Sequence, residues 1–430
     1  MHDVLDLRDL VVDEAEQRIL SGFEIADVAV HALAAARDND TAAMEVLYAR
    51  LDASIRSDSW SFDEPEAEAS LTSLSDRSPR LPVDVSRLPD KLRGAWTGRA
   101  VGNTIGKPIE GLNRTEVGIY LRAAEQWPVR GYLPLVDPLP AGVSVLHPSA
   151  PVSTVGSFDA APRDDDIDWT IVALHVMEKY GRHFDTADVA REWLDRVPFT
   201  QTYTAERAAY RNLIHGLAAP LTATYRNPYR EWIGALIRGD AFGYVNPGDP
   251  GAAAQLALKD ARLSHTGNGI YGELWAAALT AAALAEADMA EAFESSLSVI
   301  PPGSRLAVAL RSIAKLHLEG RSWAEALDWI DAELGQYPWV HTINNAAQIA
   351  AALLWGSSFL DALHITVAGG RDTDSNGATV GSVWGALHGI ESIPAELVGS
   401  THTRVRSAVR DFDRVAIEDL VARTLALIDA

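Results

Sequence analysis

Cysteine is absent from the 430-residue sequence. This excludes disulfide bonds, thiolate metal ligands and cysteine nucleophiles, so any bound metal must use oxygen or imidazole ligands. Clusters of lysine and arginine are also missing, and the net charge of −22 argues against a nucleic-acid-binding surface. No apolar run reaches the ~18 residues of a membrane span, and the acidic start, MHDVLDLRDLVVDE, is unlike a signal peptide. We therefore expect a cytoplasmic protein with no nucleic-acid partner and no membrane partner.

The composition is that of a folded protein, with 47% hydrophobic and 22% charged residues. From residue 89 to residue 430, alanine-rich segments with helical spacing follow one another, as in PDKLRGAWTGRAVGNTIG and GELWAAALTAAALAEADMAEAF. Strand-like alternation is scarce. This pattern predicts an all-α fold, with one compact multi-helix domain over residues 89–430.

The first 88 residues differ from the rest, because 19 acidic residues stand against 8 arginines, a net charge of −11. They begin with helical apolar spacing and continue as DASIRSDSWSFDEPEAEASLTSLSDRSPRLP, which is typical of a linker. We interpret residues 1–88 as an acidic helical extension plus linker. A solvated, partly disordered arm is favoured over a docking element for a protein partner.

The start of the predicted domain carries a regular series of glycines. Glycine recurs every fourth residue, at Gly94, Gly98, Gly102 and Gly106. Each costs ~1 kcal/mol relative to alanine in a helix, so another element must pack very closely against this face. Glu110 follows the helix breaker Pro108, at the end of the element, where a site can form. A second feature, the proline-rich stretch 126–166, is too long for a mere connection, and such loops are usually functional.

Acidic residues crowd the stretch RDDDIDWT, which contains Asp164, Asp165, Asp166 and Asp168. Capping of the following helix accounts for part of this charge, at about 1 kcal/mol in total. Four carboxylates in five residues exceed that need, and a bound divalent cation is the usual compensation.

A second acidic cluster lies about 200 residues later, in AGGRDTDSNGATVG, with Asp372, Asp374 and Ser375. Its D-x-D-x-N-G spacing resembles a calcium loop. However, Val383 occupies the twelfth place, where that loop needs a bidentate glutamate. Together the two clusters favour a shared site for hard cations, Mg²⁺ or Mn²⁺.

A third polar stretch, LSHTGNGIYG, precedes another helix. Its candidates for substrate binding are His265, Gly267, Asn268, Gly269 and Tyr271. A turn followed by a helix cap explains most of them equally well. Residues 202–250 add arginines and aromatic residues suited to a diphosphate and a base, although packing explains any single one better. They are Arg207, Tyr210, Arg211, Asn212, Asn227, Tyr229, Arg230, Trp232 and Tyr244.

The order of these motifs resembles the ADP-ribosylglycohydrolase family. GRAVGNTIGKPIEG, DDDIDWT, LSHTGNG and GGRDTDSNGATVGSVWGALHG follow one another as they do in that family, over residues 90–395. The resemblance implies an all-α fold, a binuclear magnesium (or manganese) site, and hydrolysis of the bond between C1 of a ribose and a modified side chain or small acceptor. It says nothing about residues 1–88.

Matched position by position, the resemblance implies six metal ligands. They are Asp164, Asp165, Asp166, Asp372, Asp374 and Ser375. Asp164 stands where the family usually has threonine, so it either alters metal preference or serves only as a helix cap. Arg371 replaces a glycine, and it either approaches a substrate phosphate or neutralises the carboxylates. His265 matches a motif histidine near the nucleotide or ribose.

The implied function is a magnesium-dependent hydrolase acting on an ADP-ribosylated protein side chain or a small ADP-ribosyl compound. Glu110, which matches the glutamate closing the first motif, is the candidate base, with Asp165 and Asp166 as further catalytic residues. Two alternatives stay open. One is hydrolysis of a free nucleoside or nucleotide, and the other is a non-catalytic ligand-binding member of the fold.

Overall fold

The structure is a computed structural model that describes residues 5–428. The first four residues of the predicted extension and the last two of the predicted domain lie outside the described residues. The chain begins with four helices: α1 (Leu7–Leu20), α2 (Ala26–Arg37), α3 (Thr41–Asp52) and α4 (Glu68–Ser75). The helices predicted for the extension are therefore confirmed.

The remaining elements are almost all helical, as the sequence predicts. The helices are α5 (Leu88–Gly106), α6 (Arg114–Ala123), α7 (Ala150–Ser153), α8 (Asp165–Tyr180), α9 (Thr186–Arg196), α10 (Thr204–Ile214), α11 (Leu221–Thr224), α12 (Asp240–Tyr244), α13 (Pro250–Ala261), α14 (Gly267–Ala283), α15 (Met289–Ser296), α16 (Arg305–Leu318), α17 (Trp323–Leu334), α18 (Thr342–Trp355), α19 (Phe359–Ala368), α20 (Thr373–His388), α21 (Ala395–Val398) and α22 (Ile417–Ile428). Two short antiparallel strands, β1 (Arg404–Val405) and β2 (Val415–Ala416), precede α22.

Helix α14 forms the centre of the large core, because every residue from Gly267 to Ala283 is buried. A helix that is apolar on all sides is stable only when other helices surround it. Helices α12, α13, α15 and α18 pack directly against it. The alanine-rich sequence of α14 keeps these neighbours close, which gives the domain one continuous core.

Helices α5 and α20 pack glycine against glycine. A Cβ atom added at Gly94 would lie 2.5 Å from the carbonyl oxygen of Gly385. Gly98 faces Gly381 and Gly102 faces Gly377 in the same way, with backbone against backbone. The close approach predicted for the glycine face is thus confirmed, and its partner is the helix that follows the second acidic cluster.

The N-terminal extension is not a detached arm. Helices α1–α3 enclose an apolar core of their own, which also contains Ala205, Tyr229 and Trp232 of the large domain. The extension therefore packs on the domain by apolar burial.

The predicted linker also makes specific contacts. Residues 63–66, here called the strap, lie against α14 and α16. Glu64 accepts hydrogen bonds from Arg305 Nε at 2.7 Å and from Asn268 Nδ2 at 2.7 Å. The hydroxyl of Tyr271 donates to the backbone oxygen of Pro65 at 2.8 Å. The preference for a solvated, partly disordered arm is wrong for this segment, because buried polar groups of the domain hold it in place. The domain boundary at residue 88 stays a prediction.

Within residues 5–428, none of the helices combines the length and the apolarity that crossing a membrane requires.

Candidate metal centre and active site

The first acidic cluster lies at the start of helix α8. Asp164 precedes the helix, and its side chain accepts a hydrogen bond from the backbone N–H of Asp166 at 3.1 Å, so Asp164 does cap the helix. Asp164, Asp165 and Asp166 each offer an oxygen within 4.8 Å of the other two. Asp168 points elsewhere, because it accepts a hydrogen bond from Ser407 Oγ at 2.6 Å. Three of the four aspartates therefore form a group with metal-ligand spacing.

The second cluster combines two parts of the sequence. Asp372 lies directly before helix α20 and Asp374 lies in its first turn. Glu110 follows the short 3-10 helix Lys107–Ile109 that continues α5. One oxygen from each of these three acids lies within 4.8 Å of the others. The glycine contact between α5 and α20 brings the two helix ends together, so Glu110 joins the aspartates as the sequence suggested.

The two clusters meet at one point. The hydroxyl of Ser375 donates to Asp166 Oδ2 at 3.3 Å, although the two residues are 209 positions apart. Asn103 Nδ2 lies 3.4 Å from the same oxygen. The expected combination of the two acidic stretches into one site is thus present in the fold.

A lysine that the sequence interpretation did not single out also joins the clusters. The ammonium nitrogen of Lys107 is in direct contact with Asp164 Oδ2 and lies 3.8 Å from Asp374 Oδ2. The Lys107 side chain is only 9% exposed. The site therefore contains a buried positive charge that lies between the two acidic clusters.

Crowding makes the carboxylates hard to ionise without a cation. Burial raises the pKa of Asp166 well above its usual value, and the negative charge of Asp374 adds to the effect. Burial and Asp374 raise the pKa of Asp372 and of Glu110 in the same way. Lys107 opposes the rise at Glu110 but does not cancel it. A divalent cation would relieve this repulsion.

The residues fit a metal ion. Asp166 Oδ1 and Asp374 Oδ1 are buried and have no hydrogen-bond partner among the residues that the structure describes. Asp166 is 2% exposed and Asp374 is 3% exposed. Unpaired carboxylate oxygens at such depth are costly unless a ligand satisfies them. Because the available donors are hard oxygens, Mg²⁺ and Mn²⁺ suit the site best.

Both clusters open into a cavity of about 130 Å³. Its lining comprises Lys107, Glu110, His147, Arg163, Asp164, Asp165, Asp166, Tyr203, Thr204, Glu206, Trp232, Ile233, Gly234, Ile237, Trp339, Val340, Asp372, Asp374 and Ser375. A single water needs only ~10–15 Å³, so the cavity has room for a larger group beside the acids. One wall is acidic, and Tyr203, Trp232 and Trp339 supply aromatic surface for a sugar or base.

Several residues of the cavity lining were not predicted from the sequence. His147, from the proline-rich stretch, has its Nδ1 atom 3.3 Å from Glu110 Oε2, so that stretch does reach the site. Glu206 lies in the first turn of α10, and burial raises its pKa to about 7 despite the opposing charge of Arg238. Lys107 was visible in the motif GKPIEG, where its place between the glycine face and Glu110 was the available signal.

The third motif lies outside the cavity lining. His265 is fully buried, and its Nδ1 atom lies 2.8 Å from Ser264 Oγ. Burial and the nearby charge of Arg238 lower its pKa well below the usual value, so it stays neutral. His265 is therefore not part of the cavity lining, and its contact with substrate stays a prediction.

The rest of that motif is used for internal packing. Asn268 binds Glu231 and the strap, and Tyr271 binds the strap. Gly267 begins α14 with a φ of +48°, and Gly269 packs against the backbone of Arg230. The prediction that Gly267, Asn268, Gly269 and Tyr271 bind substrate is therefore not supported by their positions. The residue types of a turn and cap were the better explanation.

Arg371 also points away from the cavity. Its backbone has a φ of +67°, which is unusual for arginine, and its side chain is 12% exposed. The guanidinium pairs with Asp331 and donates to Gln348 Oε1 at 3.2 Å. Neither role weighed for Arg371, phosphate contact or neutralisation of the metal-site carboxylates, agrees with this geometry.

The stretch 202–250 contributes less than its composition suggested. Of the nine residues singled out there, Trp232 alone lines the cavity. Arg230 forms an ion pair with Glu14 of the extension, and Arg211 of α10 donates to the backbone oxygens of Tyr225 and Arg226, which follow α11. The lining residues of this stretch are instead Tyr203, Thr204, Glu206 and their neighbours.

Comparisons with known proteins agree with the motif order. The sequence model of the ADP-ribosylglycohydrolase family matches residues 84–428. A solved structure described as an "ADP-ribosylglycohydrolase-related protein complex" is 19% identical, with a TM-score of 0.46, over 80% of this chain and 99% of that chain. Among curated proteins, no sequence gives a significant match. Because the family model covers well over half of its length, the chain belongs to the ADP-ribosylglycohydrolase family.

Proposed function

We propose that the protein is a magnesium-dependent hydrolase that cleaves the C1 ribosyl bond of an ADP-ribosylated protein side chain or of a small ADP-ribosyl compound. One observation carries the proposal. Two acidic clusters from distant parts of the sequence meet in one cavity, joined by the hydrogen bond from Ser375 to Asp166. Membership of a family of glycohydrolases supplies the reaction class.

The proposed metal ligands are five aspartates and one serine from the two acidic stretches of the sequence. They are Asp164, Asp165, Asp166, Asp372, Asp374 and Ser375. A bound divalent ion would orient the ribose hydroxyls and acidify a water. Mg²⁺ is the first choice because every donor is a carboxylate or hydroxyl oxygen, and Mn²⁺ shares this preference. Two ions are expected from the family.

Glu110 is the proposed base. Its carboxylate faces the cavity and borders Asp372 and Asp374, and His147 lies 3.3 Å away on the other side. In hydrolysis, Glu110 takes a proton from the water that adds to C1, while the departing acceptor must gain one. The raised pKa of Glu110 falls when a cation is near, which would free its carboxylate for this role.

Asp165 and Asp166 are proposed to stabilise the reacting sugar. Cleavage at C1 passes through an oxocarbenium-like state with positive charge on the ring. Carboxylates fixed at the start of α8 place negative charge beside that ring without reorganisation. Asp165 suits this role because it keeps partial exposure at the cavity, whereas Asp166 is buried.

A second candidate substrate, a free ribosylated metabolite, has an observation in its favour. The residues first expected to hold the nucleotide part, from His265 to Tyr271, face the interior and contact the strap. The polar site is therefore small and lies directly at the acids. A nucleoside or nucleotide needs fewer contacts than a complete ADP-ribosyl group.

Hydrolysis assays separate these substrates. Purified protein with Mg²⁺ is given ADP-ribosyl-arginine, ADP-ribosyl-serine and free nucleosides, and ribosyl release is measured. Asp374→Asn should abolish turnover, whereas Asp331→Asn, which alters an acid outside the cavity, should not. Release from nucleosides alone would replace the first proposal by the second. Absence of release from every substrate, with metal bound, would favour a non-catalytic ligand-binding protein.

A further inference from the structure

Lys107 occupies an unusual position for a buried lysine. It follows α5 directly, in the short 3-10 helix Lys107–Ile109, and its ammonium reaches between the two acidic clusters. The nearest acid is Asp164, whose oxygen it contacts directly, and Asp374 lies 3.8 Å from it. A buried ammonium is stable only when charges of opposite sign surround it, so the pair is part of the site's charge balance.

The backbone that carries the Lys107 side chain is held beside the acids. This backbone is fixed because the preceding residue, Gly106, packs against the backbone of Thr373, and Thr373 Oγ1 donates to the Gly106 oxygen at 2.8 Å. The side chain is 9% exposed, so almost all of it is surrounded by protein. The ammonium therefore competes for the space and for the oxygens that a cation would use.

The oxygens left for an added ion belong to different acids. Asp164 Oδ2 is engaged by Lys107, whereas Asp166 Oδ1 and Asp374 Oδ1 have no hydrogen-bond partner among the described residues. One oxygen of this pair comes from each cluster, and the hydrogen bond from Ser375 to Asp166 Oδ2 at 3.3 Å joins the two clusters. Asp164, the residue engaged by the lysine, is also the one that departs from the threonine of the family pattern.

We infer that the ammonium of Lys107, paired with Asp164, replaces one of the two divalent cations, so that the site binds one divalent ion per chain. This rests on the proposed metal-dependent function and refines it. Lysine and aspartate act together here. The lysine supplies a positive charge, and the aspartate supplies the negative charge that holds the lysine in place.

Metal stoichiometry tests the inference without an activity assay. The full chain is stripped with a chelator and titrated with Mn²⁺, bound metal is counted by elemental analysis, and electron paramagnetic resonance distinguishes isolated from paired ions. We expect one isolated ion in the wild type. Lys107→Met should bind two ions with a coupled spectrum, and Lys107→Arg, which keeps the charge, should bind one.

The chain supplies a matched control. Lys91 is also buried on α5, but its ammonium donates to backbone oxygens, such as that of Ala285 at 2.6 Å. Lys91 is not part of the cavity lining. Lys91→Met should leave the count at one. Two ions in the wild type, or one in folded Lys107→Met, would overturn the inference while leaving the proposed function intact. No bound ion together with no hydrolysis would remove the proposed metal-dependent function itself.

Discussion

Adding one methyl group to the contact between α5 and α20 should damage both the fold and the metal centre. In Gly102→Ala, the new Cβ would lie 2.7 Å from the carbonyl carbon of Gly377 and closer still to its oxygen. Carbon atoms in contact prefer ~3.5–4.0 Å, so the helices would have to separate by roughly 1 Å. Both contacting groups are backbone, and no side chain can rotate away.

The cost follows from this rigidity. Overpacking of a tight core costs ~1–3 kcal/mol, and a backbone clash belongs at the upper end. The better helix propensity of alanine returns at most ~1 kcal/mol. We expect Gly102→Ala to lose about 2 kcal/mol of unfolding free energy, measured by urea denaturation. Divalent-metal affinity should fall as well, because the same contact positions Glu110 against Asp372.

Gly118→Ala is the matched control, because Gly118 also lies within a helix, α6. Its added Cβ would meet only the flexible end of Arg122, at 2.8 Å. Gly118→Ala should be neutral or slightly stabilising, with unchanged metal binding. Equal stability and metal affinity for Gly102→Ala and the wild type would refute the view that glycine contact sets the spacing of the site.

Four further predictions concern the metal, the strap and acid sensitivity. Asp374→Asn should weaken Mg²⁺ binding more than the ~10–100-fold typical of groups that only support a ligand, by calorimetry. Saturating Mg²⁺ at ~100 times its Kd should stabilise the wild type by ~2.7 kcal/mol against thermal unfolding, and a chelator should remove this gain. Glu64→Ala should cost ~1–3 kcal/mol, because Arg305 and its neighbours lose a buried acceptor, whereas exposed Glu68→Ala should change stability by under ~0.5 kcal/mol. Burial lowers the pKa of His402 from 6.5 to about 3, so folding favours the neutral ring. The contribution of His402 to stability should be fully present above pH 6.5 and should fall by ~1.4 kcal/mol per pH unit between 6.5 and about 3, and His402→Phe should lessen that fall in pH-dependent denaturation.

Each of these has a contrary result. Unaltered Mg²⁺ affinity in Asp374→Asn would remove this residue from the ligand set. A stability change in Glu64→Ala no larger than in Glu68→Ala would mean that the strap contributes nothing. Identical acid curves for His402→Phe and the wild type would exclude His402 as a source of acid sensitivity.

Local sequence information was enough for the helices and for the acidic clusters. The spacing of apolar residues predicts helices such as α5 and α14, and the charge at Asp164–Asp166 and at Asp372–Asp374 exceeds any local structural need. The glycines of α5 likewise predict a close neighbour, since their cost in a helix must be offset by packing. Each of these signals is contained in a short stretch of sequence, so no knowledge of tertiary contacts was required.

The features that were not predicted correctly are those that depend on tertiary contacts. The motif from His265 to Tyr271 has polar residues that suit a pocket, but its acceptors and donors are satisfied by a segment about 200 residues earlier. The position of Arg371 depends on a left-handed backbone conformation and on a distant partner, Asp331. Neither the backbone conformation nor the partner can be predicted from the neighbouring residues. Lys107 was overlooked although it stands between the glycine face and Glu110, because its contacts with Asp164 and Asp374 form only in the folded protein.

The region that matches the family and the region that packs together differ in extent, because the strap lies outside the family match. A chain beginning at residue 84, where the family match begins, would retain every recognisable motif. It would nevertheless lack Glu64 and Pro65, which satisfy Arg305, Asn268 and Tyr271 in the intact chain. It would also expose the apolar surface around Trp232, which belongs to the lining of the cavity. We therefore expect the shortest piece that folds cooperatively to be longer than the piece that carries the family's sequence, so that a transplant of the site to another protein should include the extension.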